Sequence, residues 1–376
     1  MPLALAAAGC ASASGRGSAP AAGAAAHAPY DSPSVARDTI TISLDLQAAR
    51  QILAFLSRPG FDPAGAKALE TLPAVRAAIQ DSNRPPDVFE HDLAAAFDER
   101  ARTAVFDFQK IREDRGRWEE LLSTISTREA EFEGLASVRA QALLPPDRTV
   151  SVAVPIDLSF GLSGRADHLV MPASGADERV LVIDLARALS DVASSPAAEQ
   201  IKHLSRLVAG EAFRRAWAAY RSGSPVWQTH DGTLGQLEPL LRVVAEAGPA
   251  GLYAFDENFF PLSVWLKEPM KTSIDELNRV ADRLVSAEGD LDARVGLAAA
   301  IRRPEFAVQV AGTAGAFLAD GIIQGLGLDA FRAALAGGPR AFFEAYDSAS
   351  KQKGGGLIPL AASIRDRLAE APPPRP

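Results

Sequence analysis

The side chains of this sequence whose types and spacing suit chemistry are few, and most lie between residues 199 and 246. Glu199 and His203 stand four residues apart. On a helix that spacing puts a carboxylate and an imidazole on one face, where they could hold a metal ion weakly or form a solvated pair at a helix start. His168 and His230 have no ligand-like spacing to each other and read as structural or exposed. Asp157, Asp167 and Asp184 sit at the edges of strand-like stretches. They could bind a cation if they converged, although turn and cap roles are the commoner use of such carboxylates. A single cysteine, Cys10, excludes an internal disulfide and any Cys-rich zinc site. The sequence has no Gly-x-Ser-x-Gly nucleophile elbow and no phosphate-binding Gly-x-x-x-x-Gly-Lys-Ser/Thr loop.

The elements that must position these groups are mainly helical. Leu46, Ile52, Leu53 and Leu56 give helical apolar spacing over 44–56, which Pro59-Gly60 breaks. Asp62-Pro63 opens a second helix. A charged helical stretch over 88–143 is interrupted near Asp114-Arg115-Gly116. Phe106, Phe108, Ile111, Trp118, Leu121, Leu122 and Ile125 supply the buried stripe of this region. After Pro145-Pro146 the pattern alternates, predicting strands at 149–154, 167–171 and 179–184, with Gly161, Gly164 and Gly175 at the turns. Helices follow over 197–220, 233–245, 273–287 and 306–326. The last is long and apolar, but Gln309, Asp320 and Gln324 interrupt it, so it reads as a core helix in which Gly312 and Gly315 permit close packing. The fold class expected is mainly α with a small β-sheet (α+β). Residues 1–36 form a signal-like segment and tether, 37–146 an N-terminal helical region, 147–370 the sheet with the helical C-terminal half, and 371–376 a tail.

The order of parts is distinctive. Ala142-Leu143-Leu144-Pro145-Pro146 leads into strands ending at Val182-Ile183-Asp184-Leu185. A His-Leu-x-Arg-Leu stretch follows at 203–207, then Gly312-Thr313-Ala314-Gly315, Gly337-Gly338-Pro339 and Phe342-Phe343-Glu344-Ala345-Tyr346. Over roughly residues 40–352 this resembles a bacterial zinc-dependent peptidase family of unknown function with a zincin-like, gluzincin-type helical domain. In that family the helix after the last strand reads like Leu-Ala-His-Glu-x-x-His. Its two histidines bind zinc from one helix face, and the glutamate is the general base for a metal-bound water. The matching stretch here is Val208-Ala209-Gly210-Glu211-Ala212-Phe213-Arg214. Glycine has nothing to donate and arginine is cationic, so Gly210 and Arg214 remove both ligands. Glu211 keeps the position of the base. The family's third ligand falls in an Asn-Glu-Gly-x-Ala stretch. Its nearest match is Val244-Ala245-Glu246-Ala247-Gly248-Pro249-Ala250, which puts Ala247 at the ligand position, or Glu246 after a shift of one residue. His203 lies two turns from Gly210, about 10.5 Å along the axis, whereas metal bonds span about 2 Å. It therefore cannot replace the missing ligand. One way to fill the gap is for the Arg214 guanidinium to stand where zinc would, neutralising Glu211, Glu246 or both; the other is for Arg214 to point to solvent.

Composition limits the partners. The 376 residues are 47% hydrophobic and 23% charged, with a formal net charge of −8. A pI near 5.3 without basic clusters excludes an electrostatic footprint for nucleic acid. Small residues before Cys10, after a short apolar run, resemble a bacterial lipoprotein signal, which implies a lipidated Cys10 at the cell envelope and membrane contact only through that anchor. These readings combine into a pseudo-peptidase: an envelope protein with a zincin-like fold, no zinc or other cofactor, and a cleft able to hold a peptide or protein segment. The alternatives are an active metallopeptidase using a divergent zinc site of Glu199, His203 and Glu211 or Glu246, and an unrelated helical lipoprotein.

Overall fold

The computed structural model describes residues 39–370 except 99, 102, 104, 162–167, 173–178, 256–263, 288, 304–305 and 353–356. Cys10, both terminal segments, Gly164, Asp167 and Gly175 lie outside the described residues. The described residues belong to one compact unit.

Alternation builds the sheet. In Thr39-Ile40-Thr41-Ile42-Ser43-Leu44-Asp45 every second residue is a large aliphatic, and these seven residues form strand β1 (Thr39–Asp45). The helix expected over 44–56 is therefore corrected: α1 spans Gln47–Leu56, and Leu44 belongs to the strand. Period two and β-branched residues favour a pleated, half-buried surface over a helical turn. The other strands are β2 (Ser151–Ser159), β3 (His168–Pro172) and β4 (Arg179–Asp184). The sheet order is β1-β2-β4-β3, with β1, β2 and β4 parallel and β3 antiparallel to β4. Leu181 and Ile183 face the main core, whereas Val182, on the opposite face, packs against Ala48, Ala74, Ala77 and Ala78.

A parallel pair needs a long crossover, and seven helices supply it between β1 and β2. After α1 come α2 (Pro63–Glu70), α3 (Pro73–Ser82), α4 (Pro86–Ala95), α5 (Phe108–Glu113), α6 (Arg115–Thr127) and α7 (Glu129–Gln141). Asp62 caps α2 by accepting from the Ala64 amide, with Pro63 at the first position. The chain breaks at Asp114, as the sequence suggests, and again at Arg128. Phe89, Phe106 and Phe108 form a buried triad with ring centroids 5.3–5.9 Å apart. The carboxylate of Asp92, fully buried, fastens the loop before α5 by accepting from the Val105 and Phe106 amides at 2.8 Å.

Beyond the sheet the chain is helical: α8 (Leu185–Ala188), α9 (Ala197–Gly223), α10 (Pro225–Gln228), α11 (Glu238–Phe255), α12 (Val264–Ser286) and α13 (Leu291–Ile301). A π-helical turn over Ala307–Gly312 runs into α14 (Thr313–Leu326), followed by α15 (Leu328–Ala336), α16 (Gly338–Gln352) and α17 (Ala362–Glu370). Among the described residues no helix is long and apolar enough to cross a membrane. The molecule is mainly α with a small sheet.

Candidate functional site

α9 is the element on which the sequence places Glu211, and its neighbours decide what that carboxylate can do. The helix is apolar on the face formed by Leu204, Val208, Ala212, Phe213 and Ala216, all fully buried. Glu211 is carried inward with them and its side chain is only 7% exposed. A carboxylate at that depth requires a charged partner. It finds one a turn ahead: Arg215 Nε donates to Glu211 Oε1 at 2.9 Å. Arg214 Nε stands 3.6 Å from Glu211 Oε2 but is 41% exposed, and it also makes a long 3.4 Å contact with the Gly210 carbonyl.

Gly210 is closed off from the other side. A Cβ there would lie 3.2 Å from the Tyr253 Cβ on α11. The Tyr253 ring stacks on Phe213 with centroids 4.9 Å apart, and its hydroxyl donates to the Arg139 carbonyl at the end of α7 at 2.5 Å. Burial pushes this phenol well above its ordinary range. Tyr253 therefore pins α7, α9 and α11 together at Gly210.

The second carboxylate of interest is also engaged. Residues 244–250, aligned by sequence with a ligand-bearing stretch, lie in the middle of α11, which runs through Pro249. Glu246 Oε1 pairs with Arg221 Nη1 at 2.8 Å, and its carbonyl accepts from Trp217 Nε1 at 3.0 Å. Ala247 packs against the core. The helix expected over 233–245 is thus corrected in extent: α11 begins at Glu238 and continues ten residues further, to Phe255. The idea of one Arg214 guanidinium spanning both carboxylates gives way to a division among arginines. Glu211 goes to Arg215, with Arg214 at its edge, and Glu246 goes to Arg221. Arg215 is legible as a partner from its i, i+4 spacing to Glu211, whereas Arg221 and Tyr253 become visible only when α9 and α11 pack.

The remaining sequence candidates separate. Glu199 is exposed and lies 3.8 Å from Lys202 Nζ. His230 is exposed, and its Nδ1 is 3.0 Å from Glu238 Oε1, which also pairs with Arg242. Asp184 caps α8, accepting from the Ala186 and Arg187 amides. Among the described residues no group of three or more His, Cys, Asp or Glu side chains is arranged to hold a metal ion. Residues 210, 211 and 214 do not fit a zinc centre: glycine packed under a tyrosine, a carboxylate held by arginine, and a cation one turn on. Three surface cavities of about 320, 380 and 530 Å3 are lined by β1, α1, α6, α7, α12, α13 and the turn joining the last two, away from Glu211.

One carboxylate pair escapes the sequence reading. The register sets Asp45 of β1 directly opposite Asp157 of β2. Burial, and then the Asp45 charge, push Asp157 from 3.8 up to about 6. The folded state therefore holds a proton that the unfolded chain has released between these two values. Stability falls as pH rises through that window. The shift alone would be worth about 3 kcal/mol at 1.36 kcal/mol per unit, and water screening of this half-exposed group reduces it to roughly 1 kcal/mol. Asp157→Asn is expected to raise the urea midpoint at pH 8 and leave it unchanged at pH 4. An equal gain at both values would remove titration as the cause.

No family model matches this chain, and neither a curated protein nor a solved structure is significantly similar to it.

Proposed function

We propose that this chain is a zinc-free relative of the helical metallopeptidases: a binding or structural protein of the bacterial cell envelope, held at the membrane by a lipidated Cys10, that engages a peptide or protein segment without cleaving it. The observation that carries this reading is the state of Glu211. A general base must reach a water with a free lone pair, yet this carboxylate is buried and bound by Arg215 at 2.9 Å, with Arg214 beside it. A guanidinium at that position keeps the carboxylate's lone pairs occupied.

Metal analysis and proteolysis on one preparation test the proposal. Protein purified without chelator is expected to carry far less than one zinc per chain. Its action on casein and a peptide library is expected to be the same for the wild type and Glu211→Gln. One zinc per chain that is lost on His203→Ala, or cleavage that Glu211→Gln abolishes, would overturn it in favour of an active peptidase with a divergent site.

A further inference from the structure

The exposed face of α13 stands apart from every site above. Helix faces turned to water are normally polar, yet Leu291 and Val295 are 69% and 60% exposed, and Ala299 continues their stripe one turn on. Two features say what this stripe meets. The first is charge order: Asp292 lies at the start of the exposed face, and Arg302 and Arg303, both exposed, lie at its end. The second is symmetry. About a centre at residue 297, an antiparallel second copy of the helix sets Asp292 against Arg302, Leu291 against the aliphatic stem of Arg303, and Val295 against Ala299. Gly296, where a Cβ would meet only open space, lets the two backbones approach.

We infer that α13 is a self-complementary docking face on which a second copy of this chain packs antiparallel across a two-fold axis. The pattern is isologous, because each helix supplies both halves of every contact. An anionic lipid surface fits less well, since Asp292 would face it together with the arginines. A single helix pair falls short of the roughly 1,200–2,000 Å2 of a standard stable interface, so the dimer is a reversible one that dissociates on dilution.

Sedimentation velocity over a dilution series of the full chain tests this. The wild type is expected to move from monomer towards twice the monomer mass as concentration rises. Val295→Glu, at a solvent-exposed position, is expected to abolish that shift while leaving the thermal midpoint unchanged. Asp292→Arg and Arg302→Asp are each expected to weaken association at least tenfold, and the two together to restore it. A wild type that stays monomeric throughout, a dimer indifferent to Val295→Glu, or a double variant without rescue would overturn the inference. So would a monomer that sediments with anionic phospholipid vesicles through Leu291 and Val295.

Discussion

Gly315→Ala is expected to be among the most destabilising single-methyl additions in this protein, costing about 3 kcal/mol or more. α11 and α14 cross with their backbones in contact. A Cβ on Gly315 would lie 2.5 Å from the Gly248 Cα and from the Val244 carbonyl oxygen, and a Cβ on Gly248 would lie 2.6 Å from the Gly315 carbonyl. Neither neighbour is a flexible side-chain tip, so the helices must separate, and Gly251 against Gly312 makes the same contact one turn along. Separation would open the packing of Val244, Leu252, Phe317 and Leu318, all buried. The loss is read as a lowered urea midpoint. Gly134→Ala supplies the opposite sign: Gly134 lies on α7 with open space where a Cβ would go, so the better helix former is expected to gain roughly 0.5–1 kcal/mol. A Gly315→Ala protein as stable as the wild type would show that the crossing is slack.

Arg215→Met is expected to cost about 2–3 kcal/mol. The substitution keeps most of the side-chain volume but strands the Glu211 carboxylate at 7% exposure, and removing one partner of a buried pair leaves an uncompensated charge. Arg214 at 3.6 Å recovers part of the loss, which holds the figure below the full penalty. Arg214→Met is expected to cost under about 1 kcal/mol, since its guanidinium is largely in water. Combining Arg215→Met with Glu211→Gln should recover stability, because loss of both charges removes the stranded one. The cycle is measured by urea unfolding of the four proteins. Equal losses for the two arginines would show that Arg214 holds the carboxylate as firmly as Arg215 does.

Much of the fold was legible in the sequence, for local reasons. Alternating Val and Ile between Ser151 and Ile183, Pro63 behind Asp62, and the break at Asp114 report backbone preferences that hold in any context. Gly312 and Gly315 announced a close helix contact. Strand β1 is hidden in the sequence because Leu44 and Leu46 also satisfy the spacing of the helix that follows, and only pairing with β2 settles which side of Asp45 the strand ends on. The stretch 244–250 carries two readings for a related reason. Gly248 and Ala250 matched a ligand-bearing motif, but small residues at that spacing serve equally to bring a helix backbone against Gly315.

At residues 210–214 the division is sharp. Residue types settle that Gly210 and Arg214 offer no metal ligands and that Glu211 keeps a carboxylate between them, because side-chain chemistry needs no neighbours. Tertiary structure alone decided the fate of that carboxylate. Burial against the packed core made a counter-charge obligatory, and the turn geometry of α9 delivered Arg215 to it. The fold of α11 brought Tyr253 over Gly210 and Glu246 to Arg221. The Tyr253 hydroxyl also reaches Arg139, 114 positions away, and such pairings follow from how helices pack, which no local pattern encodes.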